Sequence, residues 1–297
     1  MKTFLKFLLL SSSLLFLNSC EDVVQIKLDE GSKLYVIDAF VNDLRAKQVI
    51  RVTTNDSYFS NRIAPPVSDA VVVLKDLTAD KQYAFTYGGD GNYEYNISSV
   101  DSIAKIGHQY ELNVTIDGSV YTALTVQKRT AVIDSIVPEY DDGQSGGFGG
   151  NAPKPFYLCN LLAKDKVDNV ADYYWIKTSR NDTLFSGPDD INICIDGTGG
   201  AVNSAEFDSI YFTPPATFLG FERYESGNTC KVEIHSISRE TYFFFIQAQA
   251  QINNGGLFAT TPENVKTNIV TPAGAKTKAV GWFNMASVTT KKINIPY

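Results

Sequence analysis

"QYELNVTIDGSVYTALTV", residues 109–126, decides how the chain folds. Two eight-residue runs, rich in β-branched and aromatic residues and alternating apolar with polar, flank the dipeptide Asp117-Gly118. Alternation with period two describes a half-buried strand. A two-residue Asp-Gly connection between such runs is a hairpin, because its turn needs positive φ and glycine adopts it without steric penalty. The same grammar extends backwards. "KLYVIDAFV", "KQVIRVTT", "AVVVLKDL", "KQYAFTY" and "NYEYNI" are further short strands, and "GGDGN" at 88–92 is a looser hairpin turn. Seven short strands at turn-marked intervals predict an immunoglobulin-like β-sandwich over residues 33–137.

The rest of the chain divides around a second marker, "DDGQSGGFGGNAPKP", residues 141–155. Glycine, proline and polar residues sustain neither helix nor strand, so 138–153 reads as a Gly-rich linker or loop. A phosphate cradle is excluded, since no strand–loop–helix pattern surrounds it and no Lys-Ser/Thr follows the glycines. Residues 154–297 form a second β-rich domain. "PFYLCNLLAKD" and "ADYYWIKTSRND" pair around the turn "KDKVDNVAD", whose Asp165, Asp168 and Asp172 lack calcium-loop spacing and read as a solvated turn. "SISRETYFFFIQAQAQINNGG", residues 236–256, alternates well enough for a strand, but its length and the Ser238 cap favour a helix near 238–253. Tyr242, Phe245, Ile246, Gln249 and Ile252 would then share one side. "KAVGWFNMASVTTKKINI" closes the chain as two strands returning to the second domain's sheet. The expected fold class is therefore mainly β: an N-terminal immunoglobulin-like sandwich followed by a β-rich domain carrying one helix.

The first nineteen residues are of another kind. Lys2 and Lys6 precede "FLLLSSSLLFL", a run whose helix from Phe4 to Leu17 would span roughly 21 Å, short of the roughly 30 Å hydrocarbon core. Residues 1–19 read as a signal peptide. Leu17-Asn18-Ser19-Cys20 resembles a bacterial lipobox, in which the cysteine thiol receives diacylglycerol, the chain is cut before it, and the new amine takes a further acyl chain such as palmitate. Cys20 is thus expected to be the lipidation site and residues 20–32 its tether, several acyl chains together holding a protein firmly in a membrane. The Glu21-Asp22 pair that follows is similar to a surface-export signal of Bacteroidota lipoproteins, and equally suits a solvated tether.

Charge and side-chain inventory exclude several functions. The whole chain carries −7; without the two signal lysines the balance is 24 − 33, or −9, a poor match for nucleic acid. Three cysteines remain, Cys159, Cys194 and Cys230, none in a C-x-x-C pair, so neither zinc nor thioredoxin-type chemistry is indicated. If one bridge forms, the pairing favoured is Cys194 with Cys230, both flanking loop-rich segments of one domain. His108 falls in a turn. His235 lies in "KVEIHSI", where Val232 and Ile234 face inward while Glu233 and His235 face out. No nucleophile, acid–base or metal constellation is visible, so neither catalysis nor a cofactor is expected. Aromatics cluster in "NDSYFSNRIAPP", 55–66, where Tyr58 and Phe59 are expected to cover a sandwich edge, and in "IYFTPPATFLGFERYESG", 210–227.

Taken in order, "SYFSNRIAPPVSDAVVVLKD", "GNYEYNI", "GHQYELNVTIDGSVYTALT", "IDSI", "GGLFATTPENVKTNIV" and "AVGWFNMASV" resemble an uncharacterised lipoprotein family of Bacteroidota, a domain of unknown function. The resemblance spans nearly the whole mature chain and departs from it in the glycine-rich stretch 143–150. It implies an outer-membrane lipoprotein, on the periplasmic or cell-surface side, often encoded beside TonB-dependent receptors and without established catalytic residues. Only Cys20 inherits a role. The expected function is a non-catalytic accessory or ligand-binding component of a TonB-dependent uptake system. The alternative is a structural or adhesive surface protein. A concave aromatic cleft favours the first; a convex polar surface favours the second.

Overall fold

The computed structural model describes residues 31–57, 60, 62–97, 102–142, 155–165, 170–187, 190–195, 222–254 and 265–297. Cys20, Tyr58, Phe59, Asp168, the 143–150 stretch and most of the aromatic-rich segment 210–227 lie outside those residues. Residues 33–297 form one compact unit.

The seven expected strands are all present: β1 (Leu34–Asn42), β2 (Gln48–Thr54), β3 (Val71–Asp76), β4 (Lys81–Gly89), β5 (Asn92–Tyr95), β6 (Gln109–Ile116) and β7 (Ser119–Val126). Asp117 and Gly118 have φ of 49° and 75°, and Asp90 and Gly91 have 51° and 79°, so both hairpins turn through two consecutive positive-φ residues. The pairing order β1-β2-β5-β4 and β3-β6-β7 reproduces the ABED and CFG sheets of the immunoglobulin fold, strand for strand. β4 joins the two. Its first half, Lys81–Phe85, pairs with β3, and its second half, from Thr86 to Gly89, pairs with β5 with a register shift between Tyr87 and Gly89. Alternate residues meet inside: Ile37 and Val41 from β1, Ile50 from β2, Leu74 from β3 and Leu112 from β6 are fully or almost fully buried.

The second body begins with β8 (Val132–Asp141) and β9 (Phe156–Lys164), which pair with each other. Asp141 pairs with Phe156, so the glycine-rich segment joins two strands of one hairpin rather than two domains. β8 also starts inside the stretch assigned from sequence to the first sandwich; Ile133 and Ile136 pack into the second core. β10 (Tyr173–Arg180), β11 (Thr183–Leu184), β12 (Asn192–Ile195) and β13 (Thr229–Ile237) supply a second sheet, followed by helix α1 (Arg239–Ile252) and then β14 (Lys278–Ala286) and β15 (Val288–Asn294). Tyr174, Ile176, Val232 and Ile234 bury one face of that sheet against Leu161 and Ala163 of β9.

The last two strands part company, contrary to the sequence expectation that both return to the second sheet. β15 does so, pairing with β13. β14 instead adds to the first sandwich, parallel to β1 from Leu34↔Lys278 to Asn42↔Ala286, and buries Phe283 and Met285 in the first core. One residue, Ser287, separates them, so a single extended segment serves both bodies. That residue is 2% exposed and tied on every side. Its N–H donates to Ser236 Oγ at 2.8 Å, its carbonyl accepts from Ser236 N–H at 2.9 Å, and its hydroxyl accepts from Gln127 Nε2 at 2.9 Å. Buried polar groups satisfied in this way fix one geometry, since any other leaves them unpaired.

α1 starts as expected: Ser238 Oγ accepts from the Thr241 N–H at 3.1 Å. The expected apolar side is shifted, however. Thr241 and Phe245 are buried, whereas Ile246 and Ile252 are 41% and 48% exposed. The helix packs on both bodies, Phe245 against Phe40 of the first and Trp175 of the second. Among the described residues no helix is long and apolar enough to cross a membrane.

Parallel pairing of β14 depends on Gly281. Its φ is +115°, and a Cβ there would stand 2.0 Å from the Ile37 carbonyl oxygen. Gly274 has a similar φ, +83°, but open space around it. Gly281→Ala should therefore lower the unfolding free energy by about 2–4 kcal/mol, and Gly274→Ala by about 1 kcal/mol. Urea unfolding of both variants measures the gap between them, and equal losses would refute a steric role for the Ile37 carbonyl.

Candidate functional site

Two sheet faces that would meet water in isolated sandwiches are turned toward each other. Period two sets what each presents. Since Ile37, Ala39 and Val41 point into the first core, Asp38 and Phe40 point out of it, with Arg51 directly opposite Asp38 on β2 and Trp282 opposite on β14. Since Tyr174, Ile176 and Thr178 point into the second core, Trp175 and Lys177 point out, opposite His235 and Glu233 on β13. The corner at Ser287 and helix α1 close this space into a wedge.

Aromatic rings line the helix side. Trp175 packs on Phe245 and Phe40 with centroid distances of 4.7 and 5.3 Å, and Phe40 stacks on Phe245 at 5.4 Å. Trp282 stacks on Phe244 at 4.6 Å and donates Nε1–H to Thr241 Oγ1 at 2.9 Å. Each such aromatic pair contributes about 0.5–1.5 kcal/mol beyond its buried area.

Charged groups line the other side. Lys177 Nζ lies 3.8 Å from the Trp175 ring centre, a cation–π contact. Burial pulls the Lys177 ammonium below its usual pKa, while Glu233 and Asp38 pull it back up. Asp38 is exposed to solvent and yet ringed by protein. Desolvation by that surround raises its carboxyl above the usual range, against the lowering effects of Lys177 and Arg51. Solvent contact screens the rise, so it carries little folding energy. Arg51 Nε and Trp175 Nε1 are buried and have no acceptor among the described residues.

His235 corrects the sequence expectation of an outward-facing residue. It does leave the second core, but it is 4% exposed, with its ring 5.9 Å from Trp175 and Nε2 2.9 Å from Glu233 Oε2. Glu233 also takes Lys231 at 2.6 Å. The hydrogen bond from His235, with help from Lys231 and against burial, lowers Glu233 to about 2. Burial lowers His235 below its usual value, so the ring is neutral and donates Nε2–H to the carboxylate. His108 rests with Nδ1 2.8 Å from Asp76 Oδ2.

Asp165 and Asp172 are a second correction. They are not solvated: both are buried, and Arg129 reaches them at 3.7 Å (Nε to Asp165 Oδ1) and 2.5 Å (an Nη to Asp172 Oδ2). Arg129 arrives from the segment between β7 and β8, a long-range partner that turn spacing cannot reveal. Beside it a hollow of about 360 Å³ is walled by Lys128, Asp172, Arg239 and Glu240, two charges of each sign.

The Cys194–Cys230 pairing is also overturned. Cys194 stands opposite Tyr174 and Cys230 opposite Arg180, six residues apart along β10. At roughly 3.3 Å per residue that is about 20 Å, beyond the roughly 7 Å limit for a bridge. Cys230 instead shares one buried cluster with Cys159.

Trp175 already carries Phe245, Phe40 and Lys177 on its ring, so what the wedge presents to water is the Asp38 carboxylate. Acid should weaken the floor of the wedge. Glu233 binds a proton less readily folded than unfolded, as does His235, so both favour the native state above their ordinary values of 4.5 and 6.5. The Glu233 contribution, up to about 3 kcal/mol, is lost as pH falls from 4.5 toward 2. The stability gap between wild type and Glu233→Gln should therefore narrow between pH 5 and pH 3 in urea titrations; a constant gap would contradict the ion-pair assignment.

Comparison with known proteins adds a family. No curated protein matches the chain. Among solved structures, the FN1–FN3 domains of chicken CNTN1 align with 10% identity over 71% of this chain, at a TM-score of 0.23. The aligned part spans 64% of that structure's length. The immunoglobulin-like class rests on the strand order described above. The family model described as a domain of unknown function, DUF4249, matches residues 21–292. With all but the ends of the sequence covered, the chain belongs to the DUF4249 family.

Proposed function

We propose that this chain is a lipid-anchored outer-membrane lipoprotein of the Bacteroidota type, acting as a non-catalytic, ligand-binding accessory of a TonB-dependent uptake system. The observation that carries the binding reading is the wedge. It combines Trp175 and Phe40 with Asp38, Arg51 and Lys177, and the Asp38 carboxylate remains in contact with water. Aromatic side chains give large contact area at low entropic cost, and charged neighbours fix the orientation of what they hold.

The non-catalytic part is supported by how the titratable groups are used. The neutral His235 commits its proton to Glu233, and Glu233 is held ionised by two donors. Neither is poised to exchange protons with a substrate near neutral pH. The anchor is supported by Leu17-Asn18-Ser19-Cys20 after a short apolar run, and the −9 balance of the mature chain suits a surface that does not engage phosphate backbones.

Two measurements test this. Cys20→Ala should move the protein from the membrane to the soluble fraction, and continued membrane retention would refute the anchor. Mild-detergent capture of the tagged, lipidated protein from its own outer membrane should recover one stoichiometric TonB-dependent barrel. That barrel's substrate should then bind the purified chain, with Trp175→Ala weakening it tenfold or more. Recovery of the lipoprotein alone would instead favour a structural or adhesive surface role.

A further inference from the structure

Cys159 and Cys230 are the one thiol pair that the fold brings together among the described residues. They come from different sheets. Cys159 lies on β9 opposite Pro138, and Cys230 lies on β13 between Arg180 of β10 and Ile293 of β15. They are 3% and 0% exposed and share the second core. Cys159 and Cys230 are neighbours in that core, each the principal influence on the other's thiol. Tyr224, in the same core, is fixed by a two-way backbone bridge to Tyr157, two residues before Cys159. Two thiols side by side in one buried cluster, on strands of different sheets, are placed for an intersheet bridge.

We propose that Cys159 and Cys230 form an intersheet disulfide when the chain folds in the presence of a disulfide donor, leaving Cys194 as a thiol. The bond would tie the β8–β9 hairpin to the five-stranded sheet. It would close a loop that contains β10, β11 and β12. Chemically it takes two exchanges. Cys230 loses its proton and its thiolate attacks one sulfur of the donor disulfide, giving a mixed disulfide and expelling one donor thiolate. The Cys159 thiolate then attacks the Cys230 sulfur, the Cys159–Cys230 bond forms, and the second donor thiolate leaves. Two thiols are oxidised, one donor disulfide is reduced to two thiols, and the two protons pass to them. Either thiol can lead, and the exchange balances in the same way in both orders. Burial of both sulfurs means that exchange occurs before the hairpin closes over the sheet.

Formation of the bond in the cell rests on the export proposed above; formation by the purified chain does not. The test therefore starts with the full chain carrying Cys20→Ser, refolded with glutathione disulfide and its thiol. Denatured alkylation without reductant should label one cysteine, Cys194, and peptide mapping should recover a cross-linked peptide joining Cys159 and Cys230. Cys194→Ser should leave that cross-link intact, and Cys159→Ala should expose Cys230 to the label. Reduction should lower Tm by roughly 5–15 °C. Three labelled cysteines, or a cross-link through Cys194, would overturn the proposal. Lipidated protein taken from its membrane without reductant gives the separate answer. A bridge there agrees with an oxidising compartment, whereas thiols there beside a bridge in the refolded chain would count against export and leave the bridge standing.

Discussion

The architecture hangs on one short stretch of backbone, β14–Ser287–β15, which is an outer strand of the first sandwich and, one residue later, an edge strand of the second sheet. An extended chain cannot serve two sheets unless their relative orientation is fixed at the crossing. Ser236, Gln127 and Ser287 fix it through hydrogen bonds that water cannot replace at 0–2% exposure. Asp43 adds a further clamp, accepting from Val288 N–H at 2.9 Å while its own N–H donates to the Ala286 carbonyl. Asn284, one turn of the pleat away, accepts from Thr241 of the helix and donates to the Ser236 carbonyl. Helix placement is thus a consequence of the strand crossing.

The same crossing explains the character of the wedge. A sandwich face left in water selects polar residues at alternate positions, and a face used as a core selects apolar ones. The outward faces of β1, β10 and β13 show neither pattern. They mix Phe40 and Trp175 with Asp38, Lys177 and Glu233 in the same rows. Such a mixture is unsuited to a dry interface, where charges lose more hydration than they recover, and to a bare surface, where large aromatics are a hazard. It suits a recess that is enclosed without being sealed.

What could be read from the sequence follows the range of the forces involved. The seven strands of the first sandwich and both positive-φ hairpins are specified by neighbours within a few residues, and each was legible. The Ser238 cap and the type of α1 were legible for the same reason. His235 was placed on the correct side of its strand, because alternation is local, but its burial depends on Trp175, sixty residues away. Arg129 holds Asp165 and Asp172 from outside the turn that carries them, so the turn looked solvated. The route of β14 was the largest miss. Alternation identifies a strand without naming its partner, and the cue, a glycine inside "KAVGWFNMA", signals close backbone approach without saying whose. The wedge, assembled from strands of both bodies, had no local signature at all.

The pairing of Leu34 with Lys278 brings together residues almost as far apart in sequence as the chain permits. Loop closure over such a separation is entropically late and slow, and proteins dominated by contacts of this kind fold slowly. A chain synthesised from its N-terminus therefore presents β1 with one edge unsatisfied until β14, whose Lys278 lies 278 − 34 = 244 residues beyond Leu34, has been made. In that interval the exposed edge of β1 can accept any strand that resembles β14, including one from another copy. The C-terminal segment acts as a closing latch in time as well as in space, and shortening it by twenty residues would remove the second sheet's β15 and leave the first sandwich open at its oldest strand.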